Sequence, residues 1–336
     1  MANCNKLFMD FNKEITPTED QMQKMKASRE ALETKISKAI QEKLDMVAAY
    51  YTQGSASKGM KTLIIKADGT YDADRGVYLP KNPEVNAEAV QKYVYDAVND
   101  HTNDGAEHRK KCIRVLYKSA YNIDFAVYYE VEGESFAYLA IKRDGWIKDD
   151  PAKMIEWFEQ RKDKDGQLLR IVKYIKAWAS ERGYKMPSGI ALTVWAARYF
   201  YGSKDRDDIA LCQTLQALQT ALCIIVTCPA PVEPYDDLVS KLDNDQKKRF
   251  QTTLKEFYEG TQKAIDSTNQ LEASKLWQKF LGKRFPQGVD EDVDTKAKAL
   301  MASAATVLQQ TAKLDPGGRI NETHGVQHQA HRNYGA

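Results

Sequence analysis

Tyr71-Asp72-Ala73-Asp74-Arg75-Gly76-Val77-Tyr78-Leu79-Pro80 is the stretch on which the reading of this chain turns. The run from Tyr71 to Leu79 reads as a strand. Residues i and i+2 of a strand share a face, so Asp72 and Asp74 present two carboxylates side by side. Such a pair repels unless a cation lies between its members. Oxygen ligands of this kind suit Mg²⁺, which is commonly held by one or two carboxylates plus substrate phosphates. A solvated Asp-x-Asp turn after Asp68-Gly69 is the competing account, and on this motif alone it prevails.

A third acidic residue decides more. In Tyr121-Asn122-Ile123-Asp124-Phe125-Ala126-Val127, Ile123, Phe125 and Val127 form one apolar face and Asp124 points the other way. An unpaired carboxylate in such a strand is costly, and a shared metal would compensate it. Three carboxylates around two metals suit in-line nucleotidyl transfer: one metal activates the attacking hydroxyl, and the other stabilises the leaving pyrophosphate. Asp124 is then the natural acceptor for the hydroxyl proton. Upstream, Gly54-Ser55-Ala56-Ser57-Lys58-Gly59-Met60-Lys61-Thr62 nearly spells a Walker A loop. Met60 stands where that motif requires Lys, and no suitable strand is expected before it, so a P-loop is rejected. A Gly-Ser turn can still cradle a phosphate through its amides and hydroxyl.

Around these motifs the chain divides. Thr18-Glu19-Asp20-Gln21 is a capping box, and Met22, Met25, Leu32, Ile36 and Ile40 follow at helical spacing, which predicts a long helix to about Asp45. Leu63 to Ile65 is expected as a strand and Gln91 to Val98 as a short helix. Cys112 to Tyr117 and Tyr121 to Val131 are expected to form a hairpin around Lys118-Ser119-Ala120. From Asp150 onward helical patterns dominate: Pro151 to Gln160, Gln167 to Arg182, Gly189 to Tyr201, Asp208 to Thr220, Leu238 to Tyr258 and Asp294 to Leu314. The expected class is α+β, with a core lobe over 1–150, a helical lobe over 151–315 and a polar, Gly-rich tail over 316–336.

Composition excludes several roles. The chain has 336 residues, 43% hydrophobic and 29% charged, as an ordinary globular protein does. Forty-nine basic residues against 47 acidic give a formal charge of +2, which argues against constitutive nucleic-acid binding. The longest apolar run, near Ala221 to Val226, is too short to cross a bilayer, and no signal peptide is visible at Met1, so no membrane association and a cytoplasmic location are expected. Five scattered cysteines, with no C-x-x-C pair, fit a reducing compartment. His101, His108 and the basic run Arg109-Lys110-Lys111 read as surface features.

A Gly-Ser turn, Asp-x-Asp on a strand and a single Asp on a later strand, in that order, resemble the polymerase-β-like nucleotidyltransferase superfamily. Gln167 to Trp178 resembles its spine helix, and Met186 to Thr193 the turn and helix after it. More narrowly, Gln53-Gly54-Ser55, Tyr71 to Pro80, Ile123-Asp124-Phe125, Lys176-Ala177-Trp178 and Pro187-Ser188-Gly189 resemble the bacterial CD-NTases. These are cyclic-oligonucleotide synthases related to cyclic GMP-AMP synthase and the oligoadenylate synthases, and the likeness runs over about residues 1–315. The chain departs from the commonest pattern in having Gly59-Met60 where many relatives have Gly-Thr.

The resemblance implies a polymerase-β-like core with a mainly helical second lobe, the bilobal architecture of oligoadenylate synthase. It implies Asp72, Asp74 and Asp124 as catalytic metal ligands for two Mg²⁺, with Mn²⁺ able to substitute. It implies a nucleotide-binding set of Gln53, Gly54, Ser55, Lys173 and Ser188, in which Lys173 and Ser188 hold the β- and γ-phosphates; Lys176, one turn on, is the weaker candidate. It further implies ATP and/or GTP as substrates, a cyclic di- or trinucleotide product, and an effector activated by that product in CBASS anti-phage defence. Some CD-NTases are joined through their C-terminal carboxylate by a ubiquitin-activating-like ligase, and the small residues Gly335 and Ala336 suit such conjugation at Ala336. Two alternatives compete: a linear RNA-tailing nucleotidyltransferase, which the near-neutral charge disfavours, and an inactive nucleotide-binding module, which the presence of all three Asp opposes.

Overall fold

The structure is a computed structural model; it describes residues 1–118 and 120–292, and beyond them 301, 304, 313–314, 316, 320–321 and 324–327. Helix α1 (Asn5–Glu14) leads into α2 (Glu19–Leu44), whose capping box forms as the sequence specifies: Gln21 N donates to Thr18 Oγ1, and Thr18 N to Gln21 Oε1. Asp45 ends α2 in the left-handed region, at φ 52°. Strand β1 (Ala49–Gln53), a 3₁₀ turn (Gly54–Ala56) and strand β2 (Tyr71–Leu79) follow, then α3 (Ala87–Val98), β3 (Ala106–His108), β4 (Ile113–Tyr117), β5 (Tyr121–Glu130), β6 (Ala137–Ile141) and β7 (Gly145–Asp149). The seven strands form one mixed sheet. β2 and β5 run parallel at its centre, β1 edges β2, and the other side of β5 pairs with β4 along its first half and β6 along its second. α2 and α3 cover one face, burying Met25, Leu32, Ile36 and Ile40 with Val77, Val90, Val94, Ile123, Phe125 and Val127.

The second lobe is helical: α4 (Pro151–Glu159), α5 (Gln167–Ser180), α6 (Gly189–Arg198), α7 (Asp207–Leu222), α8 (Asn244–Asp266) and α9 (Gln270–Leu281). Short strands Lys313–Leu314, Ile320–Asn321 and Val326–Gln327 pair with one another. α5 is central; Leu168, Ile171, Val172, Tyr174, Ile175 and Trp178 are fully buried. Trp178 stacks on Phe257 at 4.8 Å. α1 packs on this lobe: Phe8 meets Tyr174, Trp277 and Phe285 edge-on. No helix among the described residues is long and apolar enough to cross a membrane.

Several expectations shift. α1 and α9 are helices beyond those expected. Leu238 to Tyr258 begins later, at Asn244, because Asp243 and Gln246 form a second capping box there. A strand does precede the Gly-Ser turn, the edge strand β1, whose side chains alternate between exposed and half-buried up to Gln53. Leu63 to Ile65 makes no strand: Ile65 N donates to Ile15 O, and its carbonyl accepts from Arg284, so the segment is satisfied by the N-terminal region and the helical lobe rather than by the sheet. The expected helix over Asp294 to Leu314 lies almost wholly outside the described residues, as do Ser119 in the β4–β5 turn and Ala336.

Trp178 carries the α5 packing, so Trp178→Ala should destabilise the fold by about 3–5 kcal/mol. Trp178→Phe, which retains a ring against Phe257 and deletes an indole N–H that has no hydrogen-bond partner among the described residues, should cost clearly less. Urea unfolding midpoints check both; equal losses would contradict this account.

Candidate active site

In-register parallel pairing of β2 with β5 sets Asp74 opposite Asp124 and Asp72 opposite Asn122. Since i and i+2 share a face, these four polar side chains stand together on the side of the sheet away from α2 and α3. β4 adds a fifth, because antiparallel pairing puts Arg114 opposite Asp124. Asp72, Asp74, Asp124 and Arg114 border a cavity of about 470 Å³ between the sheet and the helical lobe, also lined by Gly54, Ser55, Lys66, Lys176, Pro187 and Gly189, while Asn122 reaches it only through its bond to Asp72.

The three carboxylates have different surroundings. Asp124 is buried and takes both arms of the Arg114 guanidinium, Nε to Oδ1 at 2.7 Å and Nη2 to Oδ2 at 2.6 Å. Each oxygen still has a second lone pair. Asp72 accepts from Asn122 Nδ2 at 2.9 Å, lies 3.4 Å from Arg114 Nη1, and is ion-paired to Lys66. Burial alone would raise the Asp72 carboxyl, but Lys66 and Arg114 outweigh it and hold it below its ordinary value. Asp74 has no ion-pair partner within 4 Å among the described residues. Burial, with Asp124 and Asp72 beside it, pushes its carboxyl from 3.8 up to about 7.

The Gly-Ser turn abuts Asp74. Gly54 has φ +55°, and a Cβ there would fall 2.2 Å from Asp74 Oδ2, so only glycine fits. Thr62 N donates to Ser55 O at 2.9 Å, and Lys176 Nζ donates to Thr62 O and Oγ1 at 3.2 and 3.1 Å, which ties the turn to α5. Burial brings the Lys176 ammonium down to about 8 despite the opposing pull of Asp74. It is the α5 lysine that faces the cavity. Lys173 does not: its Nζ donates to Thr16 Oγ1 at 3.0 Å on the α1 side, and burial together with Arg170 lowers it to about 8. Ser188 caps α6, accepting from Ala191 N at 3.3 Å, while its neighbours Pro187 and Gly189 line the cavity. Gln53 points away into the sheet edge, donating to Tyr78 OH at 2.8 Å. The structure thus gathers Gly54, Ser55, Asp72, Asp74 and Asp124, and leaves Gln53 and Lys173 in supporting positions. Lys66 and Arg114 were missed; Arg114 had a signal, as the single charged residue of its strand, three residues back from the hairpin turn just as Asp124 is three residues beyond it.

Residues 48–128 match the family described as cyclic GMP-AMP synthase DncV-like, nucleotidyltransferase domain. This segment is a DncV-like nucleotidyltransferase domain. All three aspartates and the Gly-Ser turn lie within it. The structure of Vibrio cholerae DncV cyclic AMP-GMP synthase, a prokaryotic cGAS homolog, superposes with TM-score 0.72 at 16% identity, over 85% of this chain and 98% of that one. Escherichia coli DncV in its 3'-deoxy GTP bound form gives the same TM-score at 17% identity, over 84% and 97%. Over 85% of its length the chain therefore has the DncV fold, an α+β core with a helical second lobe. The cyclic AMP-AMP-AMP synthase of an Acinetobacter strain is 26% identical over 156 residues, 44% of this chain and 46% of that protein, so the match spans under half of the relative's length.

Whether the DncV-like site could hold a cation can be tested on its own atoms. Among the described residues no three His, Cys, Asp or Glu are grouped closely enough to hold a metal as they stand, and Arg114 and Lys66 engage two of the three carboxylates. The donor set still fits a hard divalent ion: all ligands are oxygens, Asp124 retains lone pairs, and Asp74 is a half-buried carboxyl raised by desolvation and by its acidic neighbours.

The raised Asp74 carboxyl fixes a pH dependence. As pH climbs from about 4 to about 7 the unfolded chain releases this proton while the native protein keeps it, so the contribution of Asp74 to stability falls across that window and stays low above it. In EDTA, Asp74→Asn should therefore be more stable than wild type, with a melting-temperature gain that grows from pH 4 to 7 and then levels. A gain that shrinks as pH rises would contradict the assignment.

Proposed function

We propose that the chain is a Mg²⁺-dependent nucleotidyltransferase that links nucleoside triphosphates, ATP and/or GTP, into a cyclic di- or trinucleotide and releases pyrophosphate. The observation that carries this reading is the register of β2 on β5, which collects Asp72, Asp74 and Asp124 beside Gly54-Ser55 and Lys176 in one cavity. Asp72, Asp74 and Asp124 are the residues that would hold divalent ions. Such ions, when bound, supply charge neutralisation at the triphosphate and a more acidic attacking hydroxyl.

The chain's own groups do the rest. The turn at Gly54-Ser55 brings backbone amides and a hydroxyl to the donor phosphates. Lys176, fixed by Thr62, offers them a point charge from the helical lobe. Arg114 fixes the orientation of Asp124 with two bonds. The cavity walls, with Met60, Leu63, Ile64, Met186, Ile190 and Leu192, keep water from the phosphates and offer apolar surface to a base. The relatives' names support the cyclic product: they are synthases of cyclic AMP-GMP and of cyclic AMP-AMP-AMP, and V. cholerae DncV has been seen with ATP and GTP bound and with a linear pppApG intermediate. The role in CBASS, through an effector that recognises the product, and conjugation at Ala336 belong to the same reading and rest on the family likeness.

Incubation with labelled ATP and GTP in Mg²⁺, followed by phosphatase and mass spectrometry, tests the reaction. A phosphatase-resistant cyclic product is expected. Linear products, extension of added RNA, or binding without turnover would replace this reading with one of its competitors. Within it, Lys176→Ala should raise the nucleotide concentration for half-maximal rate about tenfold or more, since a charge on the triphosphate contributes mainly uniform binding. Lys173→Ala should shift that concentration far less. The reverse ranking in steady-state kinetics would return the phosphate role to Lys173.

A further inference from the structure

The charged side chains lining the cavity are balanced: Asp72, Asp74 and Asp124 face Lys66, Arg114 and Lys176. The three cations are held very differently. Arg114 sits on central strand β4, is 15% exposed and makes two bonds to Asp124. Lys176 is half-buried on α5 and bonded to Thr62. Lys66 lies in a turn closed by Lys66 N to Thr70 O and Gly69 N to Lys66 O, and its side chain is 36% exposed with Asp72 as its anchor. Its backbone is secured, by Ala67 N on Ser180 Oγ and by the Ile65 carbonyl on Arg284, so only the aliphatic stem need swing to take the ammonium off Asp72.

Resting on the reading of this cavity as a two-cation nucleotidyltransferase site, we propose that Lys66 is a built-in counter-cation that occupies the Asp72 carboxylate until a nucleotide brings metal to it. A divalent ion arriving alone enters a cavity whose acidic side chains are matched by as many basic ones, and must displace Lys66 against the attraction that holds it. A triphosphate changes that balance: it adds several negative charges, so the incoming ions are neutralised and the released ammonium has phosphate oxygens to pair with. Lys66 therefore couples metal binding to nucleotide binding and keeps the empty enzyme poorly metallated. By linkage the same coupling appears in both directions, in metal affinity with and without nucleotide and in nucleotide affinity with and without metal.

The test reads bound ion, not turnover. Free Mn²⁺ is followed by electron paramagnetic resonance as full-length protein is titrated, alone and with a non-hydrolysable ATP analogue. Wild type should bind Mn²⁺ weakly alone and much more tightly with the analogue. Lys66→Met, which keeps the stem and deletes the charge, should tighten binding of Mn²⁺ alone by about tenfold or more, the scale expected on removing a unit charge from partly screened surroundings. It should also shrink the gain given by the analogue, while Lys66→Arg should behave as wild type. Equal Mn²⁺ affinities for wild type and Lys66→Met, or a Lys66→Arg protein that follows Lys66→Met, would overturn the role of Lys66. Asp74→Asn separates this from failure of the underlying reading: if it binds Mn²⁺ with the analogue as tightly as wild type does, the carboxylates are not the ion site at all.

Discussion

The fold depends on one arrangement, the parallel, in-register pairing of β2 with β5. It puts Asp74 against Asp124 and Asp72 against Asn122 on a single face, while the opposite face of the same strands supplies Val77, Ile123, Phe125 and Val127 to the core. A slip of one residue would send the carboxylates into that core and the apolar side chains into the cavity. The hydrophobic pattern that stabilises the sheet therefore also gathers like charges that repel. Most of the polar detail of the cavity answers that repulsion: Arg114 and Asn122 from neighbouring strand positions, Lys66 from a turn, and Lys176 from the helical lobe.

The two lobes meet through the same residues. Lys176 bonds the buried Thr62, Thr62 bonds the Gly-Ser turn, and Gly54 packs directly on Asp74. The link from α5 to the carboxylates is thus a short chain of hydrogen bonds and one close contact. The turn is held by Ser57 N donating to Gly54 O and Thr62 N to Ser55 O, and glycine is required at its first position, where φ is +55° and a Cβ would meet Asp74. On the other side of the turn, Gln53 joins Tyr78, and Tyr78 stacks on Tyr128 at 4.7 Å, which anchors the end of β1 in the sheet.

Much of this was legible in the residues, for identifiable reasons. The strand face of Asp72 and Asp74 and the inverted facing of Asp124 follow from period-two alternation, and the start of α2 from Thr18 and Gln21. α1 and α9 carried a legible signal that was passed over: Leu7, Phe8 and Phe11, and Ala273, Trp277 and Leu281, recur at helical spacing. Lys173 and Lys176 differ by about one helical turn, and which of them faces the cavity is decided by how α5 is rotated against α1 and β2, a tertiary fact that no local pattern carries. Lys66 lay in no motif. Arg114 could have been found: counting back three residues from Tyr117 and forward three from Tyr121 pairs it with Asp124 before any coordinates exist.

The central claim, that the β2–β5 carboxylates are a cation site serving a bound triphosphate, is tested most directly by anomalous diffraction from crystals grown with Mn²⁺ and a non-hydrolysable ATP analogue. The account requires Mn²⁺ peaks within bonding distance of Asp72, Asp74 and Asp124, and the triphosphate lying between the Gly54-Ser55 turn and Lys176. Nucleotide bound in that cavity with no Mn²⁺ peak at the carboxylates, or Mn²⁺ and nucleotide bound elsewhere, would contradict it.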